Sequence, residues 1–453
     1  MKKVLSLTLC FIMVLCAIPT VAFALNTGAA EQTLDSDLNE RISKAYYHYT
    51  PWDPYGIDKD NQYDSRKVKI VNNVVYYLDK DRYVCISLID SKESTEKKEI
   101  TIVDKIDNIP VTQIMDIQLF EVNLKAEKIT LPDTIEEISQ STFSYCNNLK
   151  TINLPDSIKR IGICAFSGTK ISSITVPKNL ETTLDVGGGE TGTKNNKSGW
   201  CFSSMPELVS VVVPNTIKHI PEGMFANCKK LSKVTIEGAI TSIGDLAFYR
   251  TNINNSFKIP QTVQEIGEMA FAHCKSFNKI KLPKRLKSIW DGAFSNLDIK
   301  QINIPKSCKY IYGEAFDCCY KLTKVTFNGK CALANGFDGE GAWTFAGCRN
   351  LKTIKGSKYI TTMYGYDFEN CKSLTSFTIS KNLKAIGDYV FKGCTGMKKI
   401  KILTKKTKLF VNSKGIFKKV PATCKAYVKT KAVKEAIINS GFKGRVIVNK
   451  NLK

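Results

Sequence analysis

Phenylalanine recurs along most of this chain at a nearly constant interval. It stands at positions 120, 143, 166, 202, 225, 248, 271, 294, 316, 345, 368 and 391, and eight of the eleven intervals are 23 residues long. One interval is 22, and the two longer ones, 36 and 29, equal the period plus insertions of 13 and 6 residues. A unit this short cannot bury its own apolar face, so the units must stack on one another.

Each unit repeats more than its phenylalanine. After Phe143, apolar residues follow at Cys146, Leu149, Ile152 and Leu154, and a proline comes next. The alternation of Ile152 and Leu154 is typical of a short strand, and stacked coils place such strands side by side at about 4.8 Å. Proline ends each strand because it donates no backbone hydrogen bond. We therefore predict a repeat solenoid of about 12 coils, with a stacked parallel β-sheet on one wall and short turns or helical segments on the other.

A glycine follows an isoleucine a few residues before the phenylalanine in several units, at Gly162, Gly244, Gly267 and Gly387. Glycine adopts backbone conformations that other residues avoid, so we expect a tight turn at this position.

Two units illustrate a resemblance to a known family. The segments Ile161-Gly-Ile-Cys-Ala-Phe166 and Ile266-Gly-Glu-Met-Ala-Phe271-Ala-His-Cys274 resemble the BspA-like leucine-rich repeats of bacterial surface proteins. The resemblance extends over roughly residues 100 to 420 and implies a leucine-rich repeat solenoid. It also implies a secreted or surface-exposed protein, because members of that family are found there. Some members are implicated in adhesion to host proteins or other cells. It supplies no catalytic residue.

The start of the chain has the pattern of a secretory signal peptide. Two lysines precede an apolar run over 4–18, and Ala22-Phe23-Ala24 forms a small-residue cleavage site. After Ala24, no apolar run approaches the roughly 18 residues that a spanning helix needs. We therefore expect an exported protein that is extracellular or associated with the cell wall.

The remaining chain divides by its pattern into a flanked array. The predicted segments are a signal peptide (1–24), a polar leader (25–65), an N-terminal β cap (66–114), the repeat array (115–402, with insertions near 182–199 and 330–341) and a basic C-terminal cap (403–453). Repeat arrays need such caps to cover their end coils. Within the caps we predict strands at 74–77, 83–89, 109–114 and 445–448, and a helix at 431–439.

Cysteine occupies one repeat position. Seven cysteines, at 146, 228, 274, 319, 348, 371 and 394, lie three residues after the phenylalanine, where other units have Thr169, Thr251 or Leu297. A position that accepts Cys, Thr or Leu is a packing position, so we expect buried, reduced thiols. Cys308 and Cys331 instead replace aliphatic residues in neighbouring coils, which makes them a candidate disulfide.

The residues that carry catalysis are sparse in this sequence. The chain has three histidines, and the thiol of Cys274 next to His273 has nothing that would orient the imidazole. The segment 187–194 nearly matches a phosphate-binding loop, and 58–64 partly matches a calcium loop, but both lack required residues. We therefore expect a protein that is not an enzyme and has no cofactor or metal.

The exposed strand positions, eight and ten residues after the phenylalanine, form two columns. These columns carry Ser, Thr and Asn near the N-terminus and become basic farther on. The candidate binding face consists of Lys233, Lys258, Lys279, Lys281, Lys324, Lys355, Lys399 and Lys401. A solvated sheet face accounts for such residues without any ligand. The functional interpretation is a concave electropositive strip that attracts an extended or acidic partner.

Two functions remain, and they belong to different classes. The first is a secreted, non-enzymatic protein that binds a macromolecular partner at the cell surface. This partner is an extracellular protein or a glycan, acidic ones included. The alternative is a structural wall-associated protein, held by attraction between anionic wall polymers and the mature chain, whose charge falls from +24 to +22 when Lys2 and Lys3 are removed with the signal peptide. A nucleic-acid partner is not expected despite a pI near 9.3, because the protein is exported and lacks an aromatic stacking platform.

Overall fold

The computed structural model describes residues 65–88, 98–115, 125–182, 199–335 and 341–452. In these ranges the chain forms a parallel β solenoid of about 13 turns with little helix. The predicted signal peptide, nearly all of the polar leader, and Phe120 lie outside the described residues, as do 183–198 and 336–340 within the two insertions.

One wall of the solenoid, the first wall, contains the strands that follow each phenylalanine. Its strands are Glu99–Thr101, Lys128–Thr130, Thr151–Ile152, Ser173–Thr175, Ser210–Val213, Lys233–Ile236, Gln301–Ile304, Lys324–Phe327, Thr353–Lys355, Ser376–Ile379, Lys399–Ile402, Lys425–Val428 and Arg445–Val448. They pair in parallel, as predicted, but in four separate sheets of three or four strands. One break has a visible cause, because the side chain of Asn255, and not a backbone carbonyl, accepts from the N–H groups of Asn278 and Lys279.

The opposite, second wall is also a sheet. Its strands are Glu137–Ile138, Arg160–Ile161, His219–Ile220, Ser242–Ile243, Glu265–Ile266, Ser288–Ile289, Tyr310–Ile311, Cys331–Leu333, Ile360–Met363 and Ala385–Ile386. The last eight form one parallel sheet. The predicted helical segments do not occur among the described residues of 125–402, which contain only the 3-10 turn Ser357–Tyr359. Each segment is too short to close successive helical turns, so its polar backbone groups pair with the next coil instead.

The repeat phenylalanines form a buried column at the corner between the second wall and the next first-wall strand. Twelve rings, from Phe143 to Phe417, stack with centroids 5.2–6.1 Å apart. Phe417 follows Phe391 by 26 residues, which is why the 23-residue period does not reveal it. The coil stack therefore continues beyond residue 402.

The backbone on both sides of each phenylalanine is left-handed. The residues two before and two after it have positive φ in all twelve described coils, for example Leu246 (56°) and Arg250 (55°) around Phe248. This conformation directs the N–H groups of the corner at the next coil, and Phe248 donates to the carbonyl of Ala270 at 2.9 Å. Most of these positions hold residues other than glycine, so inter-coil hydrogen bonds must offset the local strain.

A turn begins at the Ile-Gly glycines, as expected, because Ala165 donates to the carbonyl of Gly162 at 3.3 Å and Ala247 donates to that of Gly244 at 3.4 Å. The turn does not require the backbone freedom of glycine. Gly162, Gly244 and Gly387 do not have positive φ; a Cβ atom there would instead lie 2.3 to 2.8 Å from backbone nitrogen of the preceding coil. Glycine is therefore required by the close approach of two coils and not by a turn.

The ends of the array match the strands and the helix expected there. At the N-terminus, the 3-10 turn Ser65–Lys67 precedes three antiparallel strands, which are Val68–Val71, Val74–Asp79 and Arg82–Leu88. The strand Ile109–Ile114 pairs in parallel with Arg82–Leu88 and antiparallel with Lys105–Ile106. At the C-terminus, helices α1 (Lys408–Val411) and α2 (Lys431–Asn439) accompany the last two first-wall strands. Thr430 caps α2 by accepting from the N–H of Val433.

Candidate interaction face

The eight predicted lysines all lie on the first wall. Six are exposed, namely Lys233, Lys258, Lys279, Lys281, Lys355 and Lys399, and Lys324 and Lys401 are half-buried. Strand register sets their neighbours, because Lys355 lies beside Thr326 and Lys399 lies beside Ser376. The alternation of inward and outward side chains along the strands puts Lys233, Lys355 and Lys399 on the outer surface. Lys258, Lys279 and Lys281 are exposed at the equivalent coil positions, although they lie outside the strands.

The basic column extends farther than the sequence analysis predicted. Lys399 pairs in register with Lys425, which pairs with Arg445 on the final strand. The ammonium of Lys399 also lies 4.9 Å from the centroid of the Tyr427 ring, a cation–π contact. Lys425 and Tyr427 stand eight and ten residues after Phe417, so the repeat rule would have found them had Phe417 been recognised.

The lysines of the candidate face lack acidic partners. Among the described residues, no ion pair within 4.0 Å involves any of the eight. Near the start of the same wall the situation differs, since Lys128 is 3.2 Å from Glu99 of the neighbouring strand. The exposed columns from Thr151 onward contain no Asp or Glu at the positions eight and ten residues after the phenylalanine.

The excess of positive charge is confined to one part of the chain. Residues 251–453 contain 38 Lys+Arg and 12 Asp+Glu, whereas residues 1–250 contain 28 Lys+Arg and 30 Asp+Glu. The charge of +24 therefore arises in the C-terminal part alone. A field of one sign over a long surface raises the local concentration of anions.

The cysteine column is buried, as expected, and it also has a hydrogen-bonding role that the sequence analysis missed. Six thiols donate to the carbonyl of the phenylalanine in the preceding coil: Cys228 to Phe202, Cys274 to Phe248, Cys319 to Phe294, Cys348 to Phe316, Cys371 to Phe345 and Cys394 to Phe368, at 3.0–3.3 Å. Where threonine replaces cysteine, its hydroxyl donates to the phenylalanine of its own coil, as in Thr169. The position therefore favours small side chains with a donor.

Burial also makes these thiols poor nucleophiles. It raises the pKa of Cys274 to about 11 and that of Cys319 to about 12, so little thiolate forms near neutral pH. Cys308 and Cys331 are buried free thiols close enough to hydrogen-bond, and that bond raises the pKa of Cys331, as does burial. The structure thus brings the predicted pair together in reduced form, and their disulfide stays a prediction.

The histidines contact other groups. His219 lies 2.8 Å from the hydroxyl of Ser242, and His273 packs edge-on against Tyr249 with 5.7 Å between centroids. Burial lowers the pKa of His273. The adjacent Cys274 points its thiol at Phe248 and not at the imidazole. Over the described ranges, no group of three His, Cys, Asp or Glu side chains converges on a possible metal position.

Acidic side chains stack in successive coils at the edge of the second wall. Glu268, with Asp245 in the preceding coil, has a pKa raised to about 7 by burial and then by that neighbouring charge. Burial, followed by the charge of Glu268, raises the pKa of Asp291 to about 7. These carboxyl groups are largely removed from water, so near pH 7 they are partly protonated.

The coil geometry defines a leucine-rich repeat solenoid. The family model described as the BspA type leucine rich repeat region, in six copies, matches residues 94–185, 193–257, 243–336 and 340–425. The chain belongs to this family. No curated protein matches the sequence. Within the part of the chain that the structure describes, no helix is long and apolar enough to span a membrane.

Several solved structures of bacterial proteins are similar to this chain, and the first of them shows the same fold. A leucine-rich repeat protein from Bacteroides ovatus is 19% identical, with a TM-score of 0.61 over 84% of this chain and 99% of its own. A leucine rich cell surface protein from Faecalibacterium prausnitzii is 20% identical, with a TM-score of 0.46 over 83% of this chain and 98% of its own. The pneumococcal vaccine antigen PcpA is 16% identical, with a TM-score of 0.44 over 84% of this chain and 98% of its own.

Proposed function

We propose that this protein is an exported, non-enzymatic interaction protein that binds an extracellular protein or glycan at the cell surface through the lysines of the first wall. Export is supported by residues 1–24, which have the charged, apolar and small-residue segments of a signal peptide. The family supports the role, because its solenoid presents a long, regular surface suited to extended partners.

The observation that carries the proposal is the unpaired state of the first-wall lysines. Lysines that serve only folding or solubility are free to pair with carboxylates one coil away, as Lys128 does with Glu99. The eight lysines of the candidate face have no such partner among the described residues, and most are fully exposed. Their charge is therefore available to an acidic partner at little desolvation cost before binding.

The second candidate function is electrostatic retention in the cell wall. The concentration of charge in residues 251–453 favours it, because an anionic polymer would be attracted to this half regardless of the positions of individual lysines. Such retention depends on net charge alone, whereas a shaped interface depends on where the charges lie.

Charge reversal at two matched sets of positions separates these functions. The test variant carries Lys233→Glu, Lys279→Glu, Lys281→Glu and Lys355→Glu, and the control carries Lys405→Glu, Lys408→Glu, Lys414→Glu and Lys419→Glu; all eight side chains are exposed. Both variants change the net charge equally. Each is applied, beside the wild type, to an array of purified extracellular proteins and glycans and to isolated cell walls.

The interaction function predicts that the test variant loses its array ligand and that the control keeps it. Bound wild type should also resist a wash with 1 M salt, where the screening length falls to about 3 Å. Equal loss from both variants, or complete release by the wash, would support electrostatic retention and exclude a specific first-wall site.

A further inference from the structure

A lysine-lined groove lies apart from the first-wall columns. It follows the turns that join the first wall to the second wall in five successive coils, and its volume is about 580 Å³. Its lining consists of Lys306, Lys309, Asn328, Gly329, Lys330, Lys358, Tyr359, Lys381, Asn382 and Leu403. This volume falls in the range of about 300–1,000 Å³ that ligand sites usually have.

The groove is basic on all sides. It has five lysines, all exposed, and no lining carboxylate. None of the five forms an ion pair with another described residue. The ammonium groups therefore repel one another across a confined volume, and an anion bound between them would relieve that repulsion.

The backbone holds the groove-forming turns close together. A Cβ atom on Gly329 would lie 2.9 Å from the Cα of Lys306, and one on Gly356 would lie 2.2 Å from the carbonyl oxygen of Phe327. Glycine at these two positions lets the lysine-bearing turns approach at coil spacing. The side-chain amide of Asn328 donates to the carbonyl of Ile304 at 2.9 Å and joins two of the turns.

The corresponding turns near the N-terminus are neutral. There Lys178 pairs with Asp156 at 2.7 Å, and Lys159 pairs with Glu136 at 2.9 Å. Lys309 occupies the coil position of Lys159, immediately before the second-wall strand, but no acidic residue precedes it by one coil. The groove therefore does not follow from the repeat itself.

The lysines and the aromatic ring indicate the chemistry of the ligand. The groove contains lysine but no arginine, and each ammonium group is a compact point charge with three rotatable donors. Such groups bind pendant tetrahedral oxyanions without the fixed bidentate geometry that arginine imposes on carboxylates and phosphates. Tyr359 is 37% exposed, with the ammonium of Lys358 5.5 Å from its centroid. An exposed ring beside amide groups suits the apolar face and the hydroxyl groups of a sugar.

We propose that this groove binds a polysaccharide that carries sulfate esters. Its sugar chain lies along the solenoid axis against Tyr359, and its pendant sulfates point into the groove toward Lys309, Lys330, Lys358 and Lys381. The lysines recur at coil spacing of about 4.8 Å, so a polymer with regularly spaced charges contacts several of them at once. This site is distinct from the first-wall face, and it does not depend on the function proposed above.

The test measures binding of fluorescently labelled dextran sulfate by anisotropy near 0.15 M salt. The groove variant carries Lys309→Gln, Lys330→Gln, Lys358→Gln and Lys381→Gln, and the matched control carries Lys408→Gln, Lys414→Gln, Lys419→Gln and Lys434→Gln, which lie outside both candidate sites. All eight side chains are exposed, so both proteins should fold as the wild type does, which circular dichroism checks. The groove variant should bind at least about 30-fold more weakly, or about 2 kcal/mol, and the control within about threefold.

Further probes test the identity of the ligand. Neutral dextran should not bind, and polyglutamate and polyphosphate should compete much less well than unlabelled dextran sulfate. Tyr359→Leu should weaken dextran sulfate and leave polyphosphate unchanged, because only the sugar contacts the ring. Equal weakening by the groove and control variants would overturn the proposal, as would equally effective competition by polyphosphate or full affinity of the Tyr359 variant. Failure of the first-wall variant alone to bind its own array ligand would leave the groove unaffected.

Discussion

The two halves of the solenoid share one core and use their surface charges differently. In the N-terminal part, basic residues pair with acidic residues of the neighbouring coil; the described pairs are Lys128–Glu99, Lys150–Glu127, Lys159–Glu136, Arg160–Glu137, Lys178–Asp156 and Lys230–Glu207. After residue 251 the described pairs are Lys321–Asp298 and Lys392–Glu369, although this part contains more lysine. Exposed ion pairs add little stability, so the C-terminal coils can dispense with them.

This difference shows which charges the fold needs. The phenylalanine column continues through the C-terminal coils without interruption, as Phe345, Phe368 and Phe391 illustrate. The cysteine–carbonyl hydrogen bonds recur there in most coils, but not where Thr251 or Leu297 replaces cysteine. The same core packing therefore holds both parts, and most lysines after residue 251 form no ion pair with a described residue that would add to it. Surface charge that the fold does not use is the charge that a ligand can use.

The largest effect should come from the shared core. Phe225→Ala in the N-terminal part and Phe368→Ala in the C-terminal part each remove a fully buried ring between two stacked neighbours. Each should destabilise its coils by about 3–5 kcal/mol. Hydrogen-exchange mass spectrometry on peptides around each site measures both losses. Similar losses would show that the core is uniform, whereas a much smaller loss at Phe368 would mean that the C-terminal coils rest on something else.

The pH dependence should distinguish the two parts. Hydrogen bonding to Lys150 lowers the pKa of Glu127, and hydrogen bonding to Lys178 lowers that of Asp156. Those carboxylates stabilise the folded N-terminal part above their unfolded pKa values, and the contribution is lost as the pH falls through the lower folded values. In the C-terminal part, Glu268 and Asp291 have pKa values raised to about 7.

The raised pKa values of Glu268 and Asp291 affect the stability of the fold in the opposite direction. Below the unfolded pKa values of 4.5 and 3.8, its stabilising contribution is complete, and it is lost as the pH rises through about 7. Exchange in the coils around Glu268 should therefore be slower at pH 5 than at pH 8 after correction for intrinsic rates. A variant with Glu268→Gln and Asp291→Asn should flatten this dependence. If the double variant keeps the full wild-type dependence, other groups are responsible.

The sequence predicts the core better than the surface. A period of 23 residues places Phe143 to Phe391, the strands of the first wall and the lysines on its outer positions, because burial demands the same side chains in every coil. The left-handed corners give no such signal, since residues as different as Leu246, Met269 and Glu314 adopt them. There the conformation is imposed by hydrogen bonds between coils and not by local preference.

The candidate sites divide in the same way. The sequence predicts the exposure of Lys279 and Lys281 from their repeat positions, and the structure shows both exposed although neither lies in a strand. The groove depends on which turns lie against each other and on the glycines that let them approach, and it brings together residues as far apart as Lys306 and Leu403. The interval between Phe391 and Phe417 is 26 residues, so a search for a 23-residue period misses Phe417. The lysine eight residues after it, Lys425, is missed with it.

The smallest predicted effect tests the difference between the two halves most directly. It asks whether removing one lysine charge lowers or raises the stability of the fold in each half. Lys178→Gln removes a hydrogen-bonded pair with Asp156, so it should slightly destabilise the N-terminal part. Lys279→Gln removes an exposed charge that forms no ion pair with a described residue and has Lys281 two positions away, so it should leave stability unchanged or raise it slightly. Thermal unfolding at low salt should show opposite shifts, and 1 M salt should shrink both. Destabilisation of equal size by both substitutions would mean that the C-terminal lysines also support the fold, and the distinction between the two halves would fail.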